Sequence, residues 1–294
     1  SDCVGQDFLT IDRSLNVTQA IEKAKELSHS ETRVELAGRI YQFDISRIES
    51  AGEQIGSVLL CFDITERETA EQARREFTAN VSHELKTPLQ GIIGSAELIE
   101  NGMVKPADMP RFIGHIRQEA QRLVALIADI IRLSQLDEGV EMPKENVELL
   151  SLANEVAEDL RPAASKENLT ITVDGQNAVV FGVRRLLYEM LYNLCDNAIK
   201  YNRSGGSVRI HVENRESEAA VSVLDTGIGI APEHQSRIFE RFYRVDKSHS
   251  KASGGTGLGL SIVKHAALYH GGHVELESAP GHGTEIRVTL PKQV

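Results

Sequence analysis

The segment Ser82–Leu89, with the sequence SHELKTPL, places a histidine beside a carboxylate. His83 falls off the apolar stripe of the helix predicted here, so we expect its ring to be exposed. An exposed imidazole is largely neutral near neutral pH and can act as a nucleophile. Glu84 can accept the ring proton, and Thr87 lies one helical turn away. Taken alone, an exposed histidine on a helix is more often a plain surface residue.

A second segment, NLCDNAIKY at Asn193–Tyr201, carries amide and cationic side chains on a predicted helix. Asn193, Asn197 and either Lys200 or Tyr201 recur at steps of three and four residues, so they share one face. Amide oxygens suit Mg²⁺ when phosphates already supply the negative charge. Lys200 can reach a phosphate as a point charge. Without the other segments, two capping or solvent-facing asparagines would explain this pattern better.

Two glycine-rich segments follow. In DTGIGI, Asp225 at a strand end can accept a hydrogen bond from an adenine amino group, while Gly227 and Gly229 permit close backbone approach. GGTGLGLSIVK, at residues 254–264, opens an apolar helix whose free N-terminal amides favour an anion. It lacks the Gly-Lys-Ser/Thr end of a P-loop and does not follow the strand of a dinucleotide-binding unit. Each segment by itself is weak evidence.

The histidine lies in a region that predicts two helices. From Ile64 the sequence is rich in helix formers, and Asn101-Gly102 signals the end of the first helix. The second helix carries its apolar residues at alternating steps of three and four, the spacing of a coiled-coil seam. Those seam positions are Ile113, Ile116, Ala120, Leu123, Ile127, Ile130 and Ser134. We therefore predict a helical hairpin.

Val124 and Ile131 add a second apolar edge to the later helix, which is more than one hairpin can cover. Pairing two hairpins into a dimeric four-helix bundle would bury both edges. The alternative is packing of a single hairpin on a neighbouring domain. The width of the stripe favours the homodimer.

After Gly139 and Pro143, helical and strand patterns alternate to the C-terminus and predict an α/β sandwich. The polar, basic stretch Ala231–Thr256 shows little strand pattern, and we predict a mobile lid there. At the other end of the chain, residues 1–62 predict a helix followed by antiparallel strands, which together form a small α+β piece.

Composition narrows the class of protein. A net charge of -11 argues against a nucleic-acid-binding protein, which needs a basic surface. No run reaches the roughly 20 apolar residues that cross a bilayer, and no signal peptide opens the chain. We expect a cytoplasmic fragment without membrane contact of its own. Its abrupt start at Ser1 predicts a membrane anchor upstream in the parent chain.

In order and spacing, the segments resemble the sensor histidine kinases of bacterial two-component systems over about residues 66–290. SHELKTPL resembles the phosphoacceptor box and NLCDNAIKY the Asn box. DTGIGI, GGTGLGL and the GHGT at 281–284 resemble the Gly boxes, and FERFYR at 239–244 resembles the Phe box. One departure is Val183, where the family often has an Asp that caps a helix.

The resemblance implies an enzyme that uses ATP and Mg²⁺ to phosphorylate itself, passes the phosphoryl group to an aspartate on a response regulator receiver domain, and dephosphorylates that regulator. His83 would be the phosphoacceptor, Glu84 the general base and Thr87 the residue that positions water. Asn193 and Asn197 would hold the metal. The implied nucleotide-binding residues are Asn193, Asn197, Lys200, Tyr201, Asp225, Gly227, Gly229, Phe239, Arg241, Arg244, Gly255, Thr256, Gly257, Leu258, Gly259 and Thr284.

Within that set, the resemblance implies that Lys200 binds phosphate, Tyr201 stacks on adenine and Asp225 binds its amino group, while either Arg241 or Arg244 contacts the γ-phosphate. It also implies three parts. Residues 1–62 would be the C-terminal part of a PAS-like sensor domain, 63–141 a linker helix with the dimerisation and phosphotransfer hairpin, and 142–294 the catalytic ATP-binding domain.

Two other functions share much of this pattern. Bergerat-type ATPases resemble the kinases but place a Glu four residues before the metal-binding Asn, where this chain has Asn193, which is no base. A nucleotide-binding signalling scaffold without kinase activity is disfavoured because the catalytic positions are intact. The sequence does not identify the signal, the regulator, or whether phosphorylation occurs in cis or in trans.

Overall fold

The structure is a computed structural model that describes residues 15–50, 53–137, 141–245 and 255–292. The chain forms two compact units, residues 1–79 and 80–294. Part of the predicted lid, residues 246–254, lies outside the described residues. Within the described ranges, no helix combines the length and the apolar character needed to cross a membrane.

The first unit contains a helix packed on a three-stranded sheet. Helix α1 (Leu15–Leu27) precedes strands β1 (His29–Leu36), β2 (Arg39–Ser50) and β3 (Glu53–Asp63), which pair antiparallel in that order. Val17, Ala20 and Ala24 of α1 are buried with Phe43 and Ile45 of β2. Helix α2 (Thr65–Glu100) begins here, where the Asp63 carboxylate accepts a hydrogen bond from the Thr65 backbone N–H at 3.0 Å.

The second unit starts with the predicted helical hairpin, which is confirmed. Helix α2 ends at Glu100, before Gly102 with a φ of +67°, a conformation that glycine adopts without strain. A short 3₁₀ turn (Pro106–Asp108) leads into helix α3 (Met109–Asp137). The second apolar edge is exposed in the single chain, with Val124 at 68% and Ile131 at 53%.

An α/β sandwich follows, as predicted. Its helices are α4 (Leu149–Lys166), α5 (Arg184–Lys200), the single-turn α6 (Pro232–Gln235) and α7 (Gly259–Tyr269). Its strands are β4 (Glu145–Glu148), β5 (Thr170–Gly175), β6 (Val179–Gly182), β7 (Ser207–Asn214), β8 (Glu218–Asp225), β9 (His273–Ala279) and β10 (Gly283–Pro291). Five of them form a sheet in the order β5-β7-β8-β10-β9, with only β5 and β7 parallel.

One face of this sheet packs against the helices. Val208, Ile210 and Val212 alternate along β7 and share a buried core with α4, α5 and the later part of α7. Among the described residues, strands β4 and β6 form a separate two-stranded sheet, which was not predicted. The end of β8, the second half of α5 and the starts of β10 and α7 carry the predicted chemical groups.

Candidate functional site

The predicted phosphoacceptor lies on an exposed turn of α2. His83 is exposed, and the following Glu84 is partly buried with its carboxylate 3.6 Å from Arg122 Nη2 of α3. The Thr87 hydroxyl donates a hydrogen bond to the His83 carbonyl at 3.2 Å. Pro88, which is buried, has no N–H to donate to the carbonyl of Glu84. The histidine is therefore accessible on a helix that α3 braces through Glu84.

The Asn segment occupies the second half of α5. The Asn193 Nδ2 donates to the Glu189 carbonyl at 2.9 Å, which leaves its amide oxygen as a possible ligand. A Cβ added at Gly259, the first residue of α7, would lie 2.8 Å from that oxygen. Asn193 thus lies directly against the start of the glycine-rich helix. Lys200 pairs with Asp196 of the same helix at 2.6 Å.

The DTGIGI turn packs on the end of this helix. A Cβ at Gly227 would overlap the Tyr201 carbonyl oxygen, so only glycine allows this approach. The Asp225 carboxylate accepts a hydrogen bond from the Gly227 N–H at 2.8 Å, and Asp225 faces Thr284 in the β8–β10 register. Burial raises the pKa of Asp225, while the hydrogen bonds from Gly227 and Thr284 oppose that shift. The turn therefore joins Asp225, Tyr201 and Thr284.

The glycine-rich loop is described from Gly255. Gly257 has a φ of +74°, and its carbonyl accepts a hydrogen bond from the Phe242 N–H at 2.9 Å. Leu258 is fully buried, and its backbone N–H donates to the Thr256 hydroxyl at 3.3 Å. The Thr256 hydroxyl donates to the Asp129 carboxylate of α3 at 3.0 Å. The loop thus contacts the hairpin through a hydroxyl that was predicted to face nucleotide.

The two arginines of the FERFYR segment have different partners. Arg241 lies 2.6 Å from the Asp137 carboxylate at the end of α3 and 2.9 Å from His265 Nε2. Arg244 lies beside Gly255, with Nη2 3.8 Å from the position a Cβ would take there. Burial lowers the pKa of Arg244, and the nearby charge of Glu84 opposes that effect. Phe239 of the same segment packs against the main core.

Several charged residues of α3 meet this site and were not predicted. Asp129 contacts Thr256, and Arg132 forms an ion pair with the buried Glu189 of α5 at 3.0 Å. Burial raises the pKa of Asp129, while Thr256 and Arg132 oppose the shift. Arg122 and Asp129 are seven residues apart and so share a helix face, the only sequence signal that could have found them.

The donor set fits a magnesium ion that arrives with a triphosphate. Among the residues described, no group of three or more His, Cys, Asp or Glu side chains could hold a metal. Asn193 and Asn197 offer neutral amide oxygens on one helix face, and Asn193 lies in close contact with Gly259 at the start of α7. Such a site depends on the negative charge of the nucleotide, as is usual for Mg²⁺.

Comparisons with known proteins agree with this architecture. Residues 73–139 match the His Kinase A (phospho-acceptor) domain, and residues 182–294 match the histidine kinase-, DNA gyrase B- and HSP90-like ATPase family. The histidine kinase ThkA, solved in complex with response regulator protein TrrA, shares the fold with a TM-score of 0.61 at 23% identity, over 94% of this chain and 83% of ThkA.

Two curated relatives extend the match. The sensor-like histidine kinase SenX3 of Mycolicibacterium smegmatis is 38% identical over 80% of this chain, which spans 62% of that relative's length. SenX3 of Mycobacterium tuberculosis is 34% identical over 96% of this chain and 76% of its own length. Together with the hairpin and the ATPase-type sandwich, these matches show that the chain belongs to the bacterial sensor histidine kinases.

Proposed function

We propose that this chain transfers the γ-phosphoryl group of ATP to His83 and then to an aspartate on the receiver domain of a response regulator. One observation carries the proposal. The same unit holds an exposed histidine on a helical hairpin and a nucleotide-type site in which Asn193 lies against Gly259. In this proposal, residues 63–141 form the linker helix with the dimerisation and phosphotransfer hairpin, and residues 142–294 form the ATP-binding domain. Residues 1–62 form the C-terminal part of a PAS-like domain.

In this proposal, the groups around the end of α5 hold ATP. The partly buried Asp225 accepts the adenine amino group, Tyr201 stacks beside it, and Lys200 attracts phosphate. The N-terminal amides of α7, which follow the close turn at Gly257, face the phosphates. Mg²⁺, held by Asn193 and Asn197, would neutralise charge on the triphosphate.

The transfer step needs a lone pair and a proton acceptor. A ring nitrogen of His83 attacks the γ-phosphorus, the bond from that phosphorus to the bridging oxygen breaks, and ADP leaves with the electron pair. The proton on the other ring nitrogen passes to Glu84, which Arg122 orients from α3. Arg244, located between the glycine-rich loop and Glu84, is the arginine better placed to approach the γ-phosphate.

The same turn of α2 supports dephosphorylation of the regulator. The Thr87 hydroxyl can accept a hydrogen bond from water while it donates one to the His83 carbonyl, so it can orient that water toward a phosphoaspartate docked at His83. A regulator partner is supported by ThkA, a histidine kinase solved with a response regulator protein.

A homodimer is part of the proposal. Exposed apolar side chains lie on both hairpin helices of the single chain, among them Ile93 on α2 with Ile113, Val124 and Ile131 on α3. Large exposed apolar side chains that recur along a helix pair suggest a surface that a partner covers. Pairing with a second hairpin would bury them in a four-helix bundle.

An ATPase without kinase activity is not favoured.

Incubation with Mg·ATP labelled at the γ-phosphate, followed by an assay for acid-labile phosphate on the protein, tests the function. We expect label on the wild-type chain and its loss in Asn197→Asp, because the added charge disturbs the metal and phosphates. The matched control is Asn154→Asp, the same change on an exposed turn of α4, which should keep the label. Release of inorganic phosphate without protein label would contradict the proposal and support the ATPase.

A further inference from the structure

Helices α5 and α7, which carry most of the proposed nucleotide site, run antiparallel and pack along a shared buried core, with a specific polar or close contact near each end. One is the contact of Asn193 with Gly259. The other joins their opposite ends, where the Val183 backbone N–H donates to His270 Nε2 at 2.9 Å. Ten residues separate Val183 from Asn193, which is about 15 Å along a helix axis. The two helices therefore contact each other at the end that carries the proposed phosphate site and also at the opposite end.

The hydrogen bond between Val183 and His270 requires one tautomer of the neutral His270 ring. Its Nδ1 lies 2.7 Å from the Ala266 carbonyl, and a carbonyl can only accept, so Nδ1 carries the proton. Nε2 then has a lone pair for the Val183 N–H. The ring also fits closely, because a Cβ added at Gly182 would lie 2.6 Å from its Cδ2. Both nitrogens of the neutral ring are satisfied.

This bond satisfies the N–H of the N-cap residue, the donor that a carboxylate at the third helical position accepts in a capping box. Val183 is the N-cap of α5 and has no side-chain hydrogen bond to offer the first turn. His270 is itself the C-cap of α7. One side chain therefore links the start of the Asn helix to the end of the glycine-rich helix.

We propose that His270 is a positioning residue that fixes α5 against α7 and thereby sets the affinity of the nucleotide site at their other ends. The inference rests on the proposed ATP site. It predicts that loss of the Nε2 acceptor weakens nucleotide binding although His270 itself lies at the opposite end of both helices. A protonated ring would present a second N–H to the Val183 N–H and break the bond.

The direction of the pH effect follows from the surroundings. Burial lowers the pKa of His270 below its ordinary value of 6.5, and the nearby positive charge of Lys144 acts in the same direction, against the hydrogen bond to Ala266. The other ring beside it is that of Tyr269, at 5.4 Å. The neutral contact is then complete above pH 6.5 and is lost as the pH falls toward the lowered value.

The test compares His270→Phe, which keeps a ring but no acceptor, with His270→Gln, whose amide oxygen can approach the Nε2 position without titrating. Binding of a trinitrophenyl ATP analogue is measured from mildly acidic to neutral pH. We expect about two- to tenfold weaker binding for the Phe variant at neutral pH, the range for one lost hydrogen bond. His270→Gln should bind nearly as wild type there, and neither variant should show the wild-type loss of affinity at acidic pH.

His273→Gln, the same change at an exposed position of β9, is the control for the change itself. Faster amide hydrogen exchange at Val183 in His270→Phe should accompany the weaker binding. Wild-type affinity and wild-type pH dependence in both His270 variants would overturn the proposal, as would a fall in melting temperature with unchanged binding. If the Phe variant does not fold, the pH profile of His270→Gln decides alone. A wild-type chain that binds no analogue would overturn the ATP site itself, and this role with it.

Discussion

The hairpin helices and the helices of the α/β sandwich bury very different shares of their residues. Helix α2 has 36 residues and buries only Pro88 and Ser95, and the 29 residues of α3 bury three leucines. Helix α5 buries nine of its 17 residues. The sandwich therefore has a complete core within one chain, whereas the hairpin leaves apolar side chains such as Val124 exposed.

This difference divides the proposed chemistry. A complete core fixes the backbone at Gly227 and Gly259, so the groups that hold a nucleotide can be positioned before it binds. The proposed nucleophile, His83, would instead have to be reached by two partners in turn, the nucleotide site and a regulator, and it lies exposed. In the proposed function, the part with the complete core binds the nucleotide, and the exposed hairpin presents the reacting histidine.

Replacing the nucleophile should give the largest effect and separate the halves most sharply. We expect His83→Gln to abolish the acid-labile label while nucleotide affinity stays near wild type, because the ring lies on the hairpin and not in the sandwich. Protein label and binding of the ATP analogue are measured on the same preparation. His115→Gln, another hairpin histidine, is the control and should keep the label. Acid-labile label retained by His83→Gln would remove this residue as the acceptor.

The contrast in burial predicts different outcomes for two apolar positions. Leu191→Ala, at a fully buried site of α5, should lower the free energy of unfolding by about 2 to 5 kcal/mol. Val124→Glu should leave the sandwich stable and shift the chain toward monomer, because it places a charge on the exposed hairpin edge. Chemical denaturation and sedimentation velocity measure the two effects. Gln118→Glu, on an exposed position of α3, controls for the added charge. Unchanged self-association in Val124→Glu would argue against the four-helix dimer.

Thr87→Ala tests whether two activities on the same helix face can be separated. We expect much of the autokinase activity to remain, while dephosphorylation of the regulator falls by roughly ten- to a hundredfold, the effect of about 1 to 3 kcal/mol from one positioned hydrogen bond. Both rates are measured on one preparation with the cognate regulator. Thr78→Ala is a close control, since the Thr78 hydroxyl likewise donates to a carbonyl one turn earlier, at 3.0 Å. A parallel loss of both rates in Thr87→Ala would mean that Thr87 only supports the helix.

The smallest effect concerns the contact between the two parts. The Asp129 carboxylate accepts a hydrogen bond from the Thr256 hydroxyl, a group predicted to bind nucleotide, and it lies within electrostatic range of Lys200, which is proposed to attract phosphate. Asp129→Asn should therefore tighten binding of the ATP analogue by about fivefold, close to the ~1 kcal/mol of one screened charge interaction. Glu97→Gln removes a carboxylate from an exposed position of α2 and should change nothing. Weaker binding in Asp129→Asn would mean that the carboxylate assists the nucleotide.

The sequence predicted the elements whose patterns repeat over several turns or strands. The spacing of apolar residues in α3 predicted the hairpin, and the alternation of apolar residues in β7 helped to predict the sandwich. Both patterns can be read from sequence because the repeat of side-chain direction follows directly from backbone geometry. Strands β4 and β6 were missed because each has four residues and its pairing partner is more than 30 positions away. Sequence also left Arg241 and Arg244 equivalent, whereas their neighbours in the structure differ.

The sequence by itself determined which chemical groups this protein carries and on which kind of element each stands, since motifs and periodicity are local. The tertiary structure alone decided which groups meet. Thr256 reaches Asp129 across 127 positions, Arg241 reaches Asp137 across 104, and Val183 reaches His270 across 87. Such contacts depend on how helices pack around a shared core, and packing is set by the shapes of many distant side chains together, which no local spacing records.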